Sequence, residues 1–153
     1  MTFLENRIPP PIIGLLTGLG MWGLARVTPP VAMPDAARWC VAGALVLAGL
    51  LLTAPAIAAF ARARTTVNPL RPQATRSLVT GGVYKVTRNP MYLGMALVLA
   101  GFAVFLAAPA ALLGPVAFVA YITRFQIVPE ERVMRAKFGA VFEDYAARVR
   151  RSV

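Results

Sequence analysis

Apolar and polar residues fall in long blocks along this chain rather than in a short period. Ile8 to Ala25 (IPPPIIGLLTGLGMWGLA) is apolar and about as long as the roughly 20 residues that cross a bilayer as a helix. Its Pro9-Pro10-Pro11 entry suits a first helical turn, whose N–H groups are unpaired anyway. A linker with Pro29, Pro30, Pro34 and Asp35 follows, and then Trp39 to Phe60, 22 residues without a charge. Pro55 is expected to kink that second span near its end. Residues 61–90 are polar and basic. From Met91 to Val128 come 38 residues whose only charge is Arg124. One helix of that length would reach about 57 Å, nearly twice a hydrocarbon core. It is therefore predicted to fold back at Ala107-Ala108-Pro109, giving spans at 91–107 and 110–128. In the tail, Met134, Phe138, Val141, Phe142, Tyr145 and Val149 recur at helical spacing opposite charged positions, so 130–151 reads as an amphipathic helix at the membrane interface. The pattern predicts an all-α integral membrane protein, a single domain of four spans plus that tail.

Composition strengthens this picture. The chain is 58% hydrophobic and 14% charged, with mean hydropathy +0.66. A soluble domain carries more charge than that. Sixteen Lys and Arg against six Asp and Glu give a formal charge of +10. In a soluble protein that excess would suggest nucleic acid. Here the cations sit between apolar blocks, where they mark cytoplasmic loops and contacts to anionic headgroups, and no nucleic-acid module is visible. Arg62, Arg64, Arg71, Arg76, Lys85 and Arg88 fill the 61–90 loop, and Arg132, Arg135, Lys137, Arg148, Arg150 and Arg151 fill the tail. The 26–38 linker has only Arg26 and Arg38, so both termini, the basic loop and the tail are expected on the cytoplasmic side. Cys40 is the single cysteine and histidine is absent, which excludes a disulfide framework and a Cys/His metal site. The first apolar run lacks a small-residue cleavage site and reads as a retained span.

Three motifs remain. GLGMWG (Gly18, Gly20, Gly23) matches a dinucleotide-binding pattern, but it follows no strand and lies inside a span, so helix packing explains it. Gly14 and Gly18 likewise suit close packing, within the bundle or with a second copy. SLVT-GG-VYKVT, around residues 78–86, is either a short hairpin or an irregular loop.

RNPMYLG, residues 88–94, can be read simply as a helix start, with Asn89 as N-cap, Pro90 at N1, Arg88 on lipid phosphate and Tyr92 in an aromatic belt. It can equally present free N–H groups and Arg88 to an anionic group. Glu130-Glu131 poses a similar choice. Two adjacent carboxylates beside headgroups either favour the N-terminus of the tail helix or receive an ammonium, a sulfonium or ribose hydroxyls. The predicted fold-back brings both motifs to one cytoplasmic face, where cationic and anionic ends together suit a zwitterionic ligand.

With those residues in view, TTVNPLRP, LVTGGVYKVTRNPMYLG and RFQIVPEERVMRAKFGAVFEDYAARV resemble the isoprenylcysteine carboxyl methyltransferase family, including its bacterial members and the related phospholipid N-methyltransferases. The resemblance covers residues 65–150. It implies an inner-membrane methyltransferase using S-adenosylmethionine without a Rossmann domain. It further implies a cofactor pocket formed by Gly82, Val83, Tyr84, Arg88, Asn89, Pro90, Tyr92, Leu93, Gly94, Glu130 and Glu131. Arg124, Glu131 and Arg148 would be the catalytic residues, with Tyr145 and Arg150 as further active-face positions. Asn89 stands where the eukaryotic enzymes have histidine, Phe142 replaces a tyrosine and the chain is short, departures that leave prenylcysteine as substrate in doubt. The acceptor is therefore read only as lipophilic or small and membrane-accessible. A membrane reductase using NADPH and a non-enzymatic small membrane protein are the competing readings.

Overall fold

The computed structural model describes residues 5–63 and 77–152; TTVNPLRP and the loop arginines Arg64, Arg71 and Arg76 lie outside them. The described residues form helices α1 (Pro10–Val27), α2 (Asp35–Arg62), α3 (Pro90–Leu106), α4 (Leu113–Ile122), α5 (Val128–Phe138) and α6 (Ala140–Arg148). No strand is present among them. A short 3₁₀ turn at Gly82–Lys85 and one isolated parallel bridge, Thr87 to Arg150, occupy the region where a hairpin was conceivable. Two helical runs, Asp35–Arg62 and Pro109–Phe138, are long and apolar enough to cross a membrane, and Pro90–Leu106 is a shorter apolar helix.

α2 packs chiefly on α3, while α1 packs on α4 and α3. The α2–α3 contact depends on small residues spaced seven apart: Ala42, Gly49 and Ala56 are buried on α2, facing Gly94 and Gly101 on α3. A Cβ on Gly94 would overlap the Thr53 hydroxyl and stand 2.5 Å from the Gly49 carbonyl oxygen, and one on Gly101 would stand 2.9 Å from that of Ala42. Backbones this close gain dispersion contacts that lipid cannot match, which is what holds helices together where no hydrophobic effect separates them from solvent. Outside this seam the surface is apolar. Leu51 and Val116 are 65% and 67% exposed, whereas Thr87, Gln126 and Glu131 are buried. An apolar girdle around a partly polar interior is disfavoured in water and suited to lipid.

Chain direction sets two ends. The start of α1, the end of α2, the start of α3 and the start of α5 share one end, along with the tail. At the opposite end the linker after α1 meets the α3–α4 turn, where the Val31 N–H donates to the Ala107 carbonyl at 2.7 Å. Ala107 itself takes a left-handed conformation, φ 49°, before Pro109 opens the next turn.

The tail differs from the single interfacial helix 130–151 expected from its periodicity. Its first half continues the fourth apolar helix without a break, through a π-helical turn at Thr123–Ile127 into α5. Pro129 explains the turn. A proline inside a helix lacks the N–H that would bond the carbonyl four residues earlier, and its ring crowds that carbonyl. Widening the turn before it relieves the crowding, and the Phe125 carbonyl accepts the Asn6 N–H instead, at 3.0 Å. The tail then breaks at Gly139, whose φ of 50° with ψ of −127° is open only to glycine. α6 ends at Arg148, and Val149 is extended.

The seam makes a direct prediction. Gly94→Ala forces the α2 and α3 backbones apart and should lower stability by about 1–3 kcal/mol. Gly43→Ala, where an added Cβ meets nothing within 4 Å, should be neutral or stabilising by up to about 1 kcal/mol. Thermal unfolding of the two variants in detergent measures the difference.

Candidate functional site

The loop before α3 builds one wall of the site. Gly82 turns the chain at φ 61°, and the 3₁₀ turn that follows aims Tyr84 inward, where its ring meets Phe60 edge-on at 5.6 Å. The Tyr84 carbonyl accepts the Tyr145 hydroxyl at 2.7 Å, which fastens α6 to this loop. The Tyr84 hydroxyl is itself buried and has no hydrogen-bond partner among the described residues. Burial, and after it the neighbouring Tyr145 and Glu130, raise the Tyr84 pKa, so the group stays protonated as a donor. Burial raises that of Tyr145 as well, against the opposing charge of Arg88.

Arg88 is not free to meet a ligand carboxylate. One terminal nitrogen donates to the Ala146 and Val149 carbonyls at 2.8 and 2.7 Å, and the other to Glu131 Oε1 at 2.8 Å. Asn89 occupies the N-cap position of α3 but makes no side-chain cap. Its amide donates instead to the Arg151 carbonyl at 2.9 Å, which also accepts the Thr87 hydroxyl at 3.1 Å. The Arg150 carbonyl accepts the Arg88 N–H at 3.0 Å. Thr87, Arg88 and Asn89 thus grip the end of the tail, and the helix start they precede keeps its first N–H groups uncapped by any side chain.

The two acids have separate fates. Glu131 takes Arg88 and, through Nε and NH2 at 3.0 and 2.7 Å, the fork of Arg151. Donating to Glu131 raises the Arg151 pKa further, so this cation is permanent. Glu130 accepts the Tyr92 hydroxyl at 2.6 Å. Because α5 continues the preceding helix, Glu130 and Glu131 do not stand at a free helix N-terminus, and a dipole does not account for them.

These residues enclose a cavity of about 350 Å³. Of the expected cofactor residues, Tyr84, Arg88, Asn89, Pro90, Tyr92, Glu130 and Glu131 line it. Gly82 and Val83 belong to the turn behind the wall, Leu93 lies along α3, and Gly94 is consumed by the α2–α3 contact. Arg124 and Arg148 are outside the lining: Arg124 pairs with Glu5 at 3.5 Å, and Arg148 donates to the Asp144 carbonyl. The other end of the cavity is apolar, formed by Pro10 and Pro11 of α1, Ile57 and Phe60 of α2, and Met91 and Met95 of α3. Those residues were invisible as site residues in sequence, since an apolar side chain inside a span carries no chemical signal. Arg151 was missed by one position. The segment after α6 is extended, so successive side chains alternate, and Arg151 rather than Arg150 reaches inward.

Against this geometry the family can be placed. A family model for phospholipid methyltransferase matches residues 37–141, and the chain belongs to that family. It is 32% identical over 108 residues to protein-S-isoprenylcysteine O-methyltransferase B of Arabidopsis thaliana, covering 69% of this chain and 53% of the relative. A probable protein-S-isoprenylcysteine O-methyltransferase of Oryza sativa subsp. indica shows the same identity, covering 55% of that relative. An uncharacterized protein of Haemophilus influenzae is 38% identical over 61 residues, 40% of this chain and 97% of that one. The chain spans about half the length of the plant relatives it matches. No solved structure gives a significant match.

Arg88→Ala leaves two tail carbonyls and part of Glu131 without donors, and should cost about 3–5 kcal/mol, the scale for breaking a buried ion pair. Arg88→Lys should restore only part, because an ammonium cannot reach all three acceptors in the fork geometry. Thermal unfolding in detergent reads both.

Proposed function

We propose that the protein transfers a methyl group from S-adenosylmethionine to a lipophilic or small membrane-accessible acceptor at the cytoplasmic membrane face. The observation that carries this reading is the two-sided cavity: a polar end with Tyr84, Arg88, Glu130 and Glu131, and an apolar end between the start of α1 and the end of α2. Its volume falls in the range of small-molecule sites, roughly 300–1,000 Å³. The residues fit the cofactor chemically. The Tyr84 hydroxyl, without a partner among the described residues, is a donor open to an acceptor, Glu130 and the Tyr84 and Tyr92 rings favour a cation, and the uncapped start of α3 favours a carboxylate.

Bound there, S-adenosylmethionine would supply an electrophilic methyl carbon on a sulfonium. The chain's contribution is then to position and to exclude water, as displacement at such a centre asks for alignment more than for acid–base groups. α6 and the tail cover the polar end. Ile57, Phe60 and Met95 offer an apolar acceptor a dry path from the lipid side. Glu130, held by Tyr92, is placed to take a proton from an acceptor that must lose one.

The membrane reading follows from the same geometry. α1, α2, α3 and the α4 run are taken as four spans, with the termini and the tail cytoplasmic because the basic residues gather at that end. In a Cys40→Ala background, an impermeant maleimide should label Ala32→Cys in intact cells and Lys137→Cys only after lysis; the reverse would invert the orientation.

Calorimetric titration with S-adenosylhomocysteine tests the site. Tyr84→Phe keeps the ring contact and removes only the hydroxyl, which no protein group uses, so it should weaken binding about tenfold with thermal unfolding unchanged. Ile57→Trp, filling the apolar end, should retain S-adenosylhomocysteine binding and lose transfer of labelled methyl to a lipid extract. Saturable binding of NADPH with none of S-adenosylhomocysteine would replace this reading by a reductase.

A further inference from the structure

Glu131 lines the cavity, yet its carboxylate is held mainly from behind. A carboxylate offers about four lone-pair directions. Three are taken: Oε1 accepts from Arg88 NH2 and Arg151 Nε, and Oε2 accepts from Arg151 NH2. Neither arginine does this from the same direction or with the same freedom. The Arg88 side chain is 12% exposed and pinned by two carbonyls, and it forms part of the cavity wall. The Arg151 side chain is 41% exposed and stands outside the lining. Its backbone is fixed separately, by the Thr87 and Asn89 side chains on its carbonyl and by the adjoining Thr87–Arg150 bridge.

We infer that Arg151 is a positioning residue: its fork locks the Glu131 carboxylate so that the remaining lone pair of Oε2 is offered to one hydrogen-bond donor of the bound cofactor, a hydroxyl or an ammonium. This rests on the cofactor reading of the cavity. The physical need is plain. A glutamate side chain left with one partner on one oxygen turns about its last torsion, which is broad for a carboxylate. Arg88 on Oε1 and a bidentate Arg151 fork spanning both oxygens remove that freedom before the ligand arrives, so the ordering cost is not charged against binding. The tail therefore serves the site through a single side chain, and the grip of Thr87, Arg88 and Asn89 on the tail carbonyls exists to hold that side chain in register. Arg150, its neighbour, is exposed and gives its carbonyl to the Arg88 N–H.

The test uses S-adenosylhomocysteine as probe on the full chain in detergent. Arg151→Ala keeps the backbone contacts of the tail and should weaken binding about tenfold. Arg151→Lys, with a point charge in place of a fork, should recover part of that loss. In a Glu131→Gln background, Arg151→Ala should have no further effect on affinity, because the group it orients is gone. A merely structural role for Arg151 would weaken binding equally in both backgrounds and overturns the inference. So does tighter binding by Arg151→Ala, which would make Arg151 an occupant that the ligand must displace. Wild-type protein that binds no S-adenosylhomocysteine removes the cofactor reading itself, whereas wild-type binding with an unchanged Arg151→Ala removes only the role of Arg151.

Discussion

The bond between Arg88 and Glu131 is the contact on which the functional end depends, since Arg88 ties the loop before α3 both to α5 and, through two carbonyls, to the chain beyond the Gly139 break. Arg88 ends the loop before α3, Glu131 sits in the first turn of α5, and the carbonyls that Arg88 also holds belong to α6 and the tail. Desolvating these charges is expensive, and the attraction repays it only when nearly every donor finds an acceptor. Three of the five Arg88 N–H donors are bonded, and Nε is buried with no partner among the described residues. A second cation, Arg151, takes two further lone-pair directions of the acid, one on each oxygen. Remove the pair and the loop, the helix and the tail keep only neutral hydrogen bonds to tail carbonyls, the Tyr145–Tyr84 and Tyr92–Glu130 contacts, the exposed Arg151–Glu131 pair and a small apolar cluster.

This division of labour reflects the two solvents the chain meets. Within the apolar block, helices are held by backbone proximity at Gly49, Gly94 and Gly101, because lipid offers apolar side chains as good an environment as a protein core does. Beyond it, burial of Phe142 and Tyr145 against Leu78 and Met134 again gains from leaving water, but the cluster is small. Charge-assisted hydrogen bonds supply the specificity that so few apolar contacts cannot.

What sequence revealed follows the same boundary. The apolar helices were legible because hydropathy in blocks leaves few alternatives, and RNPMYLG and Glu130-Glu131 stood out because polar residues at the edge of apolar runs need a reason. Their partners were not. Arg88 and Glu131 are 43 residues apart, and reading them as opposite ends of an open pocket missed that they neutralise one another. The tail's period of apolar residues was real, yet Gly139 breaks the helix without disturbing the pattern, since Phe138 and Phe142 stay four apart on either side. Pro129 stands just before the expected tail helix, and the π turn that lets a helix run through it has no local signature.

The π turn also explains how the acids reach the cavity. Each residue of an α-helix advances about 100° around the axis, and a turn with one extra residue rotates everything after it by about that amount. Gln126 and Ile127, inside the turn, are buried, and Gln126 reaches across to the Ile8 carbonyl at 2.8 Å. Without the extra residue, Glu130 would point about 100° away from Tyr92, and Glu131 away from Arg88. A proline that would ordinarily weaken a membrane helix thus coincides with the rotation the site requires. The strain it imposes on the helix and the aim of the two carboxylates are one feature of the chain, set by the identity of a single residue, Pro129.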